Sequence, residues 1–280
     1  MHPTAPLLAL ALTVSASVTA IFSSERAAEK LARAALQERG LSADSGTLFA
    51  ALARGDRAAV DWLMALDPDL LAVDDGGRTL LMAAVEAHMP GVAEELIARG
   101  VPIEVADLDG RTALVHAVRS GEISIVRSLL SRGVDPEPVV AGGGSLAVEA
   151  FTTGRTASAK LLWEAGASAW ARDGEGTPAI FHATRRGTDW LVRRLLAAGT
   201  LTDAQDAEGD TVVHKLAAEG HTRLLPLLWS YGADMNGTNA HGETPLHVAL
   251  QAGHSNLLPV LVDYGAAVDR RHPAGWAPLH

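Results

Sequence analysis

The chain has 280 residues, 48% of them apolar, no cysteine and a formal net charge of −10. Without cysteine there are no disulfides, no zinc fingers and no thiol catalysis. The acidic balance argues against non-specific nucleic-acid binding, which needs a basic footprint.

Residues 1–24 contain no Lys, Arg, Asp or Glu, and residues 7–22 form a 16-residue run of apolar and small residues. The run ends near Val18-Thr19-Ala20, a small-residue pattern suited to signal peptidase. It is shorter than the roughly 20 residues a membrane-spanning helix needs. Only His2 and the amino terminus stand where a basic residue is expected. The preferred reading is a signal peptide over 1–20 and export to a periplasmic or secreted location. The alternatives are an uncleaved N-terminal anchor, or a mis-assigned start and a cytoplasmic protein. Residues 21–45 then form an N-terminal helix and cap. Ser24 can cap it, Ala27, Ala28, Leu31, Ala35 and Leu36 share one face, and Gly40 is its stop.

From residue 46 onward two interlocked glycine series recur every 33 residues. One runs Gly77, Gly110, Gly143, Gly176, Gly209, Gly242 and Gly275; the other runs Gly100, Gly133, Gly166, Gly199, Gly232 and Gly265. Two residues after the first series comes a helix-start position, read as Thr79, Thr112, Ser145, Pro178, Thr211, Thr244 and Ala277. Five residues later stand Ala84, Ala117, Ala150, Ala183, Leu216 and Ala249. Each unit therefore reads as two short helices closed by a glycine that favours a left-handed backbone. The array covers 46–280, about seven repeats and the opening of an eighth. The first repeat, 46–73, has lost the Thr and the late glycine, as expected where one face meets solvent. Repeat four lacks the hairpin Asp and reads Val140-Ala141-Gly142-Gly143-Gly144. Pro226 and Pro259, in the second helices of repeats six and seven, are expected to bend or loosen them. The eighth repeat breaks off at His280, which reads as a truncation point and would leave Leu261 and its neighbours prone to fraying.

Thr244 to Ala249 (T-P-L-H-V-A), Gly253-His254 and Gly232-Ala233-Asp234 resemble the ankyrin repeat family over about 46–280. The resemblance implies an all-α solenoid of stacked helix-turn-helix units with β-hairpin-like connecting loops. It also implies non-catalytic protein binding through hairpin tips and the concave row of first helices, with no cofactor. His214, His221, His247 and His254 are then the family's own loop-bonding histidines rather than metal ligands. No G-x-S-x-G, H-E-x-x-H or P-loop pattern is present, so the chain is read as no enzyme. The rival reading is a regulatory or targeting array belonging to a longer enzyme.

Solvent-facing residues of the first helices should fall seven and eight places after the Thr position. In repeats three to five these are Arg119 and Ser120, Thr152 and Thr153, and Arg185 and Arg186, with Arg111 just before Thr112. An Arg set with hydroxyls between suits an acidic segment of a partner protein, because guanidinium forks pair with carboxylates. Trp163 and Trp229 share one late second-helix position and read as packing residues. Trp170, Trp190 and Trp276 read as exposed contact candidates. No nucleic acid and no membrane apart from the possible anchor is expected as a partner.

The export reading makes a direct prediction. N-terminal sequencing of the protein from its native host should find a mature start near Ile21; Met1 on a soluble cytoplasmic product would refute it.

Overall fold

A computed structural model describes residues 25–138, 140, 143–272 and 274–275. The expected signal peptide over 1–20, Ser24, part of the repeat-four turn, Trp276 and the last residues to His280 lie outside them. Among the described residues the chain is helical, with isolated antiparallel bridges and no strand. None of its helices there is long and apolar enough to cross a membrane. The chain forms two compact units, up to Ile125 and from Val126.

The first unit holds α1 (25–38), α2 (Ser45–Arg54), α3 (Arg57–Met64), α4 (Leu80–Glu86), α5 (Pro90–Ala98) and α6 (Ala113–Ser120). The division falls within α7 (Ile123–Ser131). The second unit holds α8 (Leu146–Thr152), α9 (Thr156–Glu164), α10 (Ala179–Arg185), α11 (Asp189–Ala197), α12 (Val212–Glu219), α13 (Leu225–Ser230), α14 (Pro245–Gln251) and α15 (Leu258–Asp263). In the first unit α4 packs on α2, α5 and α6; in the second, α8, α10, α12 and α14 pack in succession.

Why the two helices of a repeat differ follows from their patterns. First helices are apolar nearly all round, so they are buried on all sides: in α4, Leu80 through Val85 are all buried. Second helices carry a stripe at three- and four-residue spacing, as with Leu191, Val192, Leu195 and Leu196 of α11, and expose the rest. The small residue five places after the helix start lets neighbouring first helices approach, and Ala84, Ala117, Ala183 and Ala249 are fully buried. Burying one Leu of this core contributes about 1.5–3 kcal/mol.

Two expectations are corrected here and one is made specific. In α1 only the C-terminal half packs, through Ala32 and Leu36 one turn apart, while Ala27 and Ala28 are exposed and Leu31 is 72% exposed. The cap is thus one turn deep, fixed by an Arg39–Asp56 ion pair at 2.9 Å and by Arg39 over the Trp62 ring. Pro226 and Pro259, expected to bend or loosen their helices, loosen them at the start: each sits in the first turn of a helix that starts three residues late. A proline there has no N–H for the carbonyl four residues back, so 222–224 form a turn and Ser255–Leu257 a 3₁₀ segment instead. Trp229 is 52% exposed, whereas Trp163, at the same repeat position, is buried. Trp163 is covered by Trp190 of the next repeat, edge-on at 6.2 Å. The residue matching Trp190 one repeat beyond Trp229 is the exposed Asn256, in the 3₁₀ segment, and the aromatic ring beside Trp229 among the described residues is Tyr264 at 5.4 Å.

Repeat four closes differently from its neighbours. Ser145 N–H donates to the Arg172 carbonyl of the following hairpin at 2.8 Å. Gly144 lies so close to that hairpin that an added Cβ would stand 2.6 Å from Gly174 N. Gly144→Ala should therefore lower stability by about 1–3 kcal/mol. A urea midpoint equal to that of the unsubstituted protein would contradict this contact.

Candidate partner-binding surface

Five hairpins are each organised by one side-chain oxygen. Asp74 Oδ1 accepts from the backbone N–H of Gly76 and Arg78, both at 2.9 Å. Asp107 does the same for Asp109 and Arg111, Asp173 for Glu175 and Thr177, and Asp206 for Glu208 and Asp210. Asn239 takes this place in repeat seven, accepting from His241 and Glu243 at 3.0 Å. An Asx side chain that satisfies two amides fixes the turn and presents the following Thr as a helix cap.

The second carboxylate oxygen reaches into the first helix. Asp107 and Asp173 each accept from a His Nε2 at 2.8 Å, His116 and His182, and Asp206 accepts from Lys215 Nζ at 2.7 Å. Asp74 instead holds the Arg78 guanidinium at 2.6 Å. Burial pushes the Asp107 and Asp173 carboxyls up, but hydrogen bonds from backbone N–H groups and these histidines outweigh it and hold both below the usual range. Sequence reading missed this tie. Its signal is a cation or His nine residues after the turn Asp, as in Asp107–His116, Asp173–His182 and Asp206–Lys215.

The T-P-L-H histidines do bond loop backbone within and between repeats. Buried His214 accepts at Nδ1 from Thr211 N–H at 3.1 Å and donates from Nε2 to the Glu243 carbonyl of the next repeat at 3.0 Å. His247 accepts likewise from Thr244 N–H at 3.2 Å. The G-H histidine His254 donates to the Ala218 carbonyl at 3.0 Å.

The expected Arg and Thr set divides between the units. Arg111 and Arg119 are half-buried in the first, where Arg111 meets Asp109 at 2.9 Å. In the second, Thr152 and Thr153 turn their hydroxyls back onto the Val148 and Glu149 carbonyls of their own helix. Arg186 donates to the Phe151 and Thr152 carbonyls at 2.6 and 2.7 Å, with its guanidinium 5.2 Å from the Phe151 ring centre. It covers the carbonyl end of α8, where a cation is favoured. Arg185 is exposed and makes no ion pair among the described residues. It lines a cavity of about 420 Å³ with Asp173, Glu175, His182, Lys215 and Glu219. Trp170, on the hairpin side, is 53% exposed and walls a second opening of about 400 Å³ beside Gly143 and Gly144. Trp190 is half-buried, and Trp276 lies outside the described residues.

A family model described as ankyrin repeats (three copies) matches residues 48–139 and again 180–272. The chain belongs to the ankyrin repeat family. Solved ankyrin repeat domains superpose on it. That of Bcl-3, a member of the IkappaB protein family, is 27% identical with a TM-score of 0.60, covering 77% of this chain and 97% of that one. The human ASB11 ankyrin repeat domain is 23% identical with a TM-score of 0.60, over 79% of this chain and 98% of that one. An ankyrin repeat domain from Acinetobacter baumannii AYE is 24% identical with a TM-score of 0.60, over 67% and 98%. No match to a curated protein was found. Ankyrin repeats generally mediate protein–protein contact and are typically non-enzymatic.

The buried histidines give the array a pH dependence of definite sign. Burial pushes the His214 imidazole below its usual 6.5, and protonating Nδ1 would set it against the Thr211 N–H. Burial, then the nearby His272, pushes His247 the same way. Below about pH 6.5 the unfolded chain takes up protons that the folded one refuses, so stability present above that pH is lost on acidification. The urea midpoint should fall between pH 7.5 and 5.5, and less steeply in His214→Gln. A flat profile would contradict the assigned hydrogen bonds.

Proposed function

We propose that the chain is a non-catalytic binding module, and that its partner protein meets the first-helix side and hairpin edge of repeats five and six. The observation that carries this reading is Arg185, an exposed guanidinium without an ion pair among the described residues, set in a cavity next to the exposed Trp170 hairpin. An Arg in a partly enclosed pocket and an exposed Trp are the side-chain types that most often anchor protein interfaces. Asp173, Glu175 and Glu219 share the cavity with Arg185. These acids narrow the acidic segment expected from the Arg pattern: the partner brings one carboxylate for Arg185, and its flanking residues are neutral or basic. Thr152 and Thr153 support the surface rather than contact the partner, since their hydroxyl protons are spent within the chain, and Arg186 has its two terminal nitrogens turned onto the Phe151 and Thr152 carbonyls.

Affinity capture with the chain, followed by purification of the captured partner, supplies the ligand for the test. Arg185→Glu and Trp170→Ala each replace an exposed side chain and should leave the fold intact. Each should weaken partner binding by about tenfold or more, the size expected for truncating an interface anchor. Unchanged affinity in both folded variants would move the site off these repeats.

A further inference from the structure

The hairpins of repeats two and three, 73–79 and 106–112, form an apolar edge on the first unit. Among the large apolar side chains that this unit exposes, four belong to these hairpins or the residues leading into them: Leu71, Val73, Val105 and Leu108. Leu71 and Leu108 are 71% and 79% exposed. The backbone that carries them is fixed. Asp74 and Asp107 each hold two backbone amides of their own turn. Leu108 N–H donates to the Gly76 carbonyl at 2.9 Å and laces one hairpin to the next. A Cβ added at Gly77 would stand 3.1 Å from Leu108 Cγ, so the leucine lies across the tip of the preceding hairpin. The edge is thus a pre-formed apolar platform, and a surface already in its bound shape loses little entropy on docking.

The rim of this platform has one sign. Residues 66–111 carry ten Asp and Glu against three Arg. All three arginines are paired within the unit: Arg78 with Asp74 and Glu86, Arg99 with Glu95, and Arg111 with Asp109. Asp67, Asp69, Asp75 and Glu104 are exposed and make no ion pair among the described residues. Exposed apolar groups rimmed by polar ones mark interaction sites, and the sign of the rim selects the occupant. A second copy of this edge, a nucleic acid or an anionic lipid surface would each set negative charge against negative charge.

We propose that this edge docks a basic, amphipathic segment of a partner protein. Its apolar side chains cover Leu71, Val73, Val105 and Leu108, and its Lys or Arg residues meet Asp69, Asp75 and Glu104. Stacked helices lie about 10 Å apart, which three extended residues span at about 3.3 Å each. A segment of about seven residues with apolar and basic side chains in alternation therefore reaches both hairpins. The charge it needs is opposite to that of the carboxylate proposed for Arg185, so the two readings stand or fall separately.

The test uses the full chain labelled with ¹⁵N-leucine and ¹⁵N-valine, with amide shifts followed by NMR. Three capped peptides serve as probes: Lys-Leu-Lys-Val-Lys-Leu-Lys, the same with Glu for Lys, and the same with Ser for Leu and Val. The first is expected to give saturable shifts at Leu71, Val73, Val105 and Leu108. Replacing its Lys by Glu, or its apolar residues by Ser, should each weaken binding about tenfold or more. Leu71→Ser with Leu108→Ser, and separately Asp75→Lys with Glu104→Lys, should weaken it to a similar degree. All four side chains are exposed, so their replacement leaves the core untouched. Equal affinity for the three peptides, binding unchanged in either double variant, or shifts confined to other residues would overturn the proposal. So would self-association in sedimentation that Leu108→Ser abolishes, which would assign the edge to a second copy.

Discussion

One oxygen atom in each of five hairpins carries a disproportionate share of this structure. The turn between repeats leaves two backbone N–H groups that neither helix can satisfy, and Oδ1 of Asp74, Asp107, Asp173, Asp206 or Asn239 accepts both. Once that turn is fixed, the Thr that follows takes an extended backbone and starts the first helix, as Thr79 and Thr211 do. In four of the five hairpins the second carboxylate oxygen is tied to a side chain near the helix start: Arg78, His116, His182 or Lys215. Repeat four shows what happens without that oxygen. Val140 stands in its place, and Ser145 and Gly144 lean on the backbone of the next hairpin instead.

A second set of bonds closes helix ends across repeat boundaries. Arg99 donates to the Met64 carbonyl at 3.1 Å, Arg186 to those of Phe151 and Thr152, Arg194 to that of Trp163 and Thr200 to that of Ala169 at 2.8 Å. Each donor comes from one repeat and each carbonyl from the C-terminal end of a helix or the loop after it in the repeat before. Unpaired carbonyls at a helix end attract cations. An acidic chain thus uses several of its arginines as internal fasteners, and those that remain free gain importance.

This explains which parts of the molecule were legible in the sequence. The glycine series, the Thr caps and the T-P-L-H histidines are local signals, written within one repeat, and their geometry follows from their own neighbours. Arg186 was readable as solvent-facing by periodicity. Its capture by Phe151 and Thr152 depends on a side chain reaching 34 or 35 residues back, which no local pattern reports. Trp229 failed as a packing residue for the same kind of reason: its cover had to come from the next repeat, and Pro259 had already changed the chain there. Of the candidate site, periodicity found Arg185, whereas the cavity around it needed coordinates.

The central claim is that the hairpin Asx oxygen, rather than the glycines alone, holds the five repeat boundaries that have it. Native-state amide hydrogen exchange read residue by residue tests it most directly. The amides of Arg78, Arg111, Thr177, Asp210 and Glu243, which donate to that oxygen, should be strongly protected. The amide of Gly144, at the matching place in a hairpin without it, should exchange far faster. Protection of Gly144 equal to that of the other five would contradict the account.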